Sequence, residues 1–191
     1  MKPFSKKMAG LLVLSIFNPH ALAQIRSWDL KGTTLDQRPD LAGTVVEDTI
    51  RTWSWIHSPE RYTVNGTIQD RVIRRKSSGT LDFYTRIILD PQSSSSIFTL
   101  RKEGFKLPLP YEDANYRIDG LGDIAPVSVT HDVTTGLYEF SWHGTNVMRK
   151  ESSKFVYIGT SAKTHDKAGT TSLFAYNSPA IPIPNTYRPV S

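Results

Sequence analysis

Beyond residue 23, apolar side chains recur at every second position, and no window of a dozen residues keeps the i, i+3, i+4, i+7 spacing of an amphipathic helix. Leu81, Phe83, Ile87 and Leu89 fall on one side of an extended segment whose other side carries Asp82, Tyr84 and Arg86. Val127, Val129, His131 and Val133 alternate with Ser128, Thr130 and Asp132, and Tyr138, Phe140 and Trp142 alternate with Glu139, Ser141 and His143. Between those two runs, Thr134-Thr135-Gly136 is a short glycine-containing connection that predicts a hairpin. Residues 155–162 read as a continuously buried strand. Weaker strands are expected over residues 43–52, 66–75, 96–105 and 171–176. About eight strands separated by Gly, Pro, Asn and Ser clusters predict an all-β fold, a single antiparallel β-sandwich, with a β-barrel as the alternative that the same alternation would serve.

Three stretches break the alternation. Residues 90–96 are a polar inter-strand loop, and residues 107–123 are a longer excursion rich in acids and glycine. From residue 178 the tail carries Pro179, Pro182, Pro184 and Pro189. These forbid a helix or a central strand and favour extended backbone, strapped along the domain or exposed. The expected organisation is thus a leader over residues 1–23, one sandwich domain over 24–177 and an extended tail over 178–191.

The leader follows a different rule. Lys2, Lys6 and Lys7 precede an apolar run from Met8 to Phe17, Asn18-Pro19-His20 breaks it, and Ala21-Leu22-Ala23 stands before Gln24. That order predicts a cleavable secretory signal peptide and a mature protein in the periplasm or the medium. The apolar run is about half the length a bilayer span requires, so no transmembrane segment is expected in the mature chain. The chain has no cysteine, which excludes disulfides, cysteine catalysis and a lipidated N-terminal cysteine. Three of the 23 basic residues belong to the leader, which leaves 20 against 18 acidic ones. The mature part is nearly neutral, and nucleic acid is not an expected partner. Arg71, Arg74, Arg75 and Lys76 cluster, and at strand spacing they read as a solvated edge.

The segments Gly79-Thr80-Leu81-Asp82-Phe83-Tyr84-Thr85-Arg86-Ile87, Asp119-Gly120-Leu121-Gly122-Asp123-Ile124-Ala125-Pro126 and Ser153-Lys154-Phe155-Val156-Tyr157-Ile158-Gly159-Thr160-Ser161-Ala162 carry a resemblance. Together they resemble uncharacterised secreted bacterial β-sandwich proteins, related to those with a Pro-Glu-Pro C-terminal sorting signal. The resemblance covers roughly residues 66–173 and implies architecture, without an activity to carry over. The sorting motif itself is absent from this sequence, so surface anchoring is not implied.

Chemistry is sparsely signalled. No Gly-x-Ser-x-Gly motif and no His-Glu-x-x-His motif occurs. His131 lies in phase with valines and reads as a hydrogen-bonded core histidine, while His143 and His165 fall near strand ends or loops. Glu112, Asp113, Asp119 and Asp123 bring four carboxylates into one turn-rich excursion, the oxygen-rich setting calcium prefers, although Asp-Gly-x-Gly-Asp is also ordinary turn chemistry. Calcium is the only cofactor these residues point to. Trp53 and Trp55 share a strand face with Thr49, Arg51 and His57, while Ile50 and Ile56 take the opposite phase. That polar company makes Trp53, Trp55, Arg51 and His57 the candidate ligand-binding surface, against the alternative that the indoles pack in the core. The expected function is a non-catalytic secreted binding or structural module of unknown ligand. The alternative is a carbohydrate-binding or carbohydrate-processing protein.

Overall fold

The computed structural model describes residues 25–56, 63–106, 113–148, 150–176 and 178–190; the leader, His57 and Glu112 lie outside the described residues. Its strands are β1 (Ile25–Asp29), β2 (Gly43–Ile56), β3 (Thr63–Arg75), β4 (Leu81–Leu89), β5 (Ile97–Lys102), β6 (Asp113–Tyr116), β7 (Ser128–Asp132), β8 (Leu137–Ser141), β9 (Val156–Gly159), β10 (Thr164–Ala175) and β11 (Ile181–Val190). A single 3-10 turn spans Pro39–Leu41 among the described residues. No helix among them is long and apolar enough to cross a membrane.

The strands form two sheets, ordered β1-β7-β8-β5-β10-β11 and β2-β3-β4-β9-β6. Every ladder is antiparallel, and neither sheet closes on itself, so the fold is a β-sandwich and not a barrel. The expected alternation places its residues as read: Leu81, Phe83, Ile87 and Leu89 meet Val129, Tyr138, Phe140 and Trp142 in one core between the sheets. His131 is buried there and stacks on Tyr138 with centroids 4.0 Å apart. The β7–β8 hairpin turns on Gly136 at φ 71°, while Asp132 accepts the amide protons of Thr134 and Thr135. A side chain at Gly136 would strike the backbone of Phe105 and Lys106.

Three strands escape the alternation. β1, Ile25-Arg26-Ser27-Trp28-Asp29, and β6, Asp113-Ala114-Asn115-Tyr116, are short and mostly polar, with no run of alternating apolar residues to mark them. β11 is the proline-rich tail, and it belongs to the sandwich: it pairs with β10 and buries Ile181, Ile183 and Tyr187. It lies at the end of its sheet, where the missing proline N–H groups cost no ladder bond.

Candidate functional site

Of the two readings open for the β2 residues, the structure takes packing over an exposed binding surface. Odd-numbered positions face the interior: Trp53 is 8% exposed within the main core and Trp55 packs against it, whereas Ile50 and Ile56 are 61% and 66% exposed. The polar company of the indoles is internal too. The Thr49 hydroxyl meets the Tyr187 hydroxyl at 2.7 Å, and Arg51 donates to the Asn185 carbonyl at 2.8 Å. β11 covers this end of β2, so polar residues there find partners across the sandwich instead of water. Gly66, opposite Trp53 in register, lets β3 approach β4 so closely that a Cβ would meet the Ile88 carbonyl.

Arg51 also approaches a charge pair that bridges the two sheets. Lys102 of β5 donates to Asp70 of β3 at 2.8 Å and to the Thr85 hydroxyl at 2.7 Å, with both ionic side chains 1% exposed. The Tyr187 amide donates to the second Asp70 oxygen at 2.9 Å, and Arg51 stands 3.5 Å from it. Both Asp70 oxygens therefore have donors, as a buried pair requires.

The acidic excursion does not converge. Asp113 opens β6 and accepts Arg38 at 2.9 Å and Arg75 at 2.7 Å. Asp119 takes a two-pronged bond from Arg117, at 2.8 and 2.7 Å, together with the Leu35 amide. Asp123 accepts the Ser152 hydroxyl. Strand pairing with β9 pulls Asp113 onto the sheet and away from the turn that holds the other two. Among the described residues no three His, Asp or Glu side chains come together to hold a metal ion.

The expected solvated edge is the second correction. Arg75 is 8% exposed and is ringed by Asp82 at 2.8 Å, Asp113 at 2.7 Å and Asp40 at 3.0 Å. All lie on the outer face of the five-stranded sheet, where the Pro39–Leu41 turn and Phe155 cover Tyr84, Tyr157 and Ile73 as a second small core. Burial pushes the Asp82 carboxyl up to about 6 despite Arg75, with Asp113 and Asp40 adding to the rise. For Asp113 burial also opposes ionisation, but the hydrogen bonds of Arg38 and Arg75 outweigh it and hold the carboxyl below its ordinary value.

Next to this cluster lies a groove of about 350 Å³ lined by Arg71, Ile73, Tyr84, Arg117, Leu121 and Phe155, among others. The guanidinium groups of Arg71 and Arg86 sit 5.0 and 5.3 Å from the centre of the Phe155 ring. Tyr84 is 3% exposed and stacks on Tyr157 at 5.3 Å. Its hydroxyl oxygen faces the Arg117 guanidinium, whose N–H groups also bond Asp119, and its own proton finds no acceptor. Burial, followed by repulsion from Asp82, pushes the Tyr84 hydroxyl up to about 12, so it stays a proton donor. Arg86 Nε is likewise buried without a hydrogen-bond partner. Arg86 is held below its ordinary value by burial and then by repulsion from Arg71.

A larger hollow, about 480 Å³, opens at the other end of the same sheet and is lined by Thr52, Ser54, Asn65, Thr67, Ile88 and Asp90, among others. Asn65 Oδ1 is buried there with no hydrogen-bond partner.

Sequence reasoning missed Tyr84, Phe155, Arg117, Asp70 and Lys102. A signal was present for Tyr84, which belongs to the Leu81–Leu89 strand at a polar-phase position yet is aromatic. Comparison with protein-family models, with curated proteins and with solved structures finds no match for the chain.

Proposed function

We propose that this chain is an exported, non-catalytic β-sandwich binding module, and that its site is the groove on the outer face of the five-stranded sheet, taking an anionic ligand. The observation that carries the reading is the Tyr84 hydroxyl, buried beside a groove rimmed by Arg71 and floored by Phe155, with Arg117 as a donor toward its oxygen and no acceptor for its own proton. A buried polar group normally finds a partner, and a ligand acid would supply one for Tyr84. Three guanidinium groups, Arg71, Arg86 and Arg117, share this surface: Asp48 and Asp119 bond Arg71 and Arg117, while Arg86 bonds the neutral Gln69 and has only the more distant charges of Asp123 and Asp48, which leaves it the cation with least carboxylate contact. Export rests on the leader pattern of residues 1–23, and the resemblance to secreted proteins related to the Pro-Glu-Pro-sorted group rests on residues 79–87, 119–126 and 153–162.

Calorimetric titration of the exported protein with citrate and with polygalacturonate tests the reading. Binding is expected to weaken with added salt. It should fall about tenfold or more when Arg71 and Arg117 are both replaced by Ala, the scale of losing charge-assisted bonds. No heat from either acid, or binding indifferent to the double replacement, contradicts it. A second reading, carbohydrate binding, is favoured by the hollow lined with Thr52, Ser54, Asn65 and Thr67, whose hydroxyl and amide groups suit a neutral sugar. Binding of maltohexaose or cellohexaose that Asn65→Ala removes would select it.

A further inference from the structure

β2 is the longest strand among the described residues, fourteen residues, and within them it pairs with β3 alone. Along its other side the backbone N–H and C=O groups of an extended edge have no ladder partner among the described residues, the condition under which a sheet accepts another strand. The three other sheet ends are blunted. β11 carries Pro182, Pro184 and Pro189, and β1 and β6 span only five and four residues. β2 has neither device: Gly43–Ile56 contains no proline and no lysine, and it exposes Val45, Val46, Ile50 and Ile56 at 47%, 39%, 61% and 66%. The strand is also held in place from inside, by Trp53 in the core and by the Thr49 and Arg51 bonds to β11. A partner strand would therefore meet an edge already ordered, at little entropic cost.

We propose that β2 is a self-association edge, on which the β2 of a second copy adds antiparallel about a two-fold axis, joining the two five-stranded sheets into one. The sequence of the strand narrows the register, and centring on Ile50 keeps an overlap over residues 44–56, which no other residue as centre exceeds. Residues opposite one another in an antiparallel pair share a face. A two-fold centred on Ile50 sets Ile50 against its own copy, Asp48 against Thr52 and Thr49 against Arg51, with no like charges opposed. Centring on Asp48 would oppose two carboxylates, and centring on Thr49 would set Asp48 against Ile50. The isologous arrangement satisfies both open edges at once and closes, so it yields a dimer and not a fibre. A second copy fits this edge better than an unrelated peptide because the strand complements itself around one aliphatic residue.

The chain has no cysteine, so a single introduced one reports the register directly. Light scattering of the full exported chain should give twice the monomer mass at high micromolar concentration and a return toward the monomer on dilution. Ile50→Lys, at an exposed position, should leave the thermal midpoint of the monomer unchanged and abolish the dimer. Ile50→Cys should cross-link under mild oxidation, since facing Cα atoms in such a pair lie within about 4.4–6.8 Å, the disulfide range. Thr44→Cys, well away from the axis, should not. A monomer at every concentration, or a dimer that Ile50→Lys leaves intact, overturns the proposal. A dimer that Ile50→Lys abolishes but that Ile50→Cys does not cross-link overturns the two-fold register.

Discussion

The two faces of the five-stranded sheet bury ionic side chains in different ways. Inside, Lys102 and Asp70 form one pair sealed at 1% exposure on both partners, and apolar residues surround it. Outside, Arg75 gathers Asp82, Asp113 and Asp40, whose side chains grade from 0% through 18% to 42% exposed. The interior group is closed, with Arg51 as a second cation 3.5 Å from the same carboxylate. The outer cluster, with Arg38, holds three carboxylates on two guanidinium groups, and burial, with smaller additions from Asp113 and Asp40, pushes the Asp82 carboxyl upward. The same residue types therefore hold the sheets together on one face and leave a titratable, partly open polar layer on the other, beside the proposed site.

The sharpest break in this comparison comes from removing one interior partner. Lys102→Met leaves the Asp70 carboxylate buried and is expected to cost about 3–5 kcal/mol in urea unfolding, while adding Asp70→Leu should return part of that loss. Two strictly additive losses would show that the residues do not act as a pair. Trp53→Ala, also on the inner face, should cost about 3–5 kcal/mol, whereas Ile50→Ala on the outward phase of the same strand should stay within about 0.5 kcal/mol in the monomer. The reverse order would restore the surface reading of the indoles.

The outer face should show its imbalance through pH. Asp82 titrates at about 6 when folded and at about 3.9 when unfolded, so the folded state holds its proton more tightly. Its contribution is complete below about pH 4 and is lost as pH rises through 6. Asp113, with its pKa lowered, has the opposite sign: its contribution is present above the ordinary carboxylate range and is lost on acidification. Relative to Asp82→Asn, the unaltered protein should therefore lose on the order of 3 kcal/mol between about pH 4 and about pH 8. A difference between the two proteins that does not change with pH would contradict the assignment. A small effect is also expected at the half-buried Arg101–Glu139 pair of the other sheet, where Arg101→Ala should cost less than about 1 kcal/mol.

What was legible in the sequence follows the same division. Leu81, Phe83, Ile87 and Leu89 face a purely apolar layer, and their period of two declared both the strand and its buried side. Asp82 and Tyr84, on the opposite phase, read as solvent-facing, yet both are buried, because residues far along the chain, Leu41 and Phe155, fold over them. Long-range cover of this kind leaves no local period. The β2 tryptophans kept a surface reading open beside the core one for a related reason. Arg51 and Thr49 looked like surface company, but their partners Asp70, Asn185 and Tyr187 arrive from other strands. Prolines hid β11 because an edge strand tolerates them where a central strand would not.

Whether the outer-face groove is the binding face is addressed most directly by a residue-resolved NMR titration of residues 24–191 with citrate. The predicted result is saturable shifts at Tyr84, Arg117 and Arg71, with the Tyr84 hydroxyl proton becoming protected from exchange as it gains an acceptor. Resonances of Tyr84 and Arg117 that do not move, or shifts confined to Thr52, Thr67 and Asn65 at the far hollow, would contradict it.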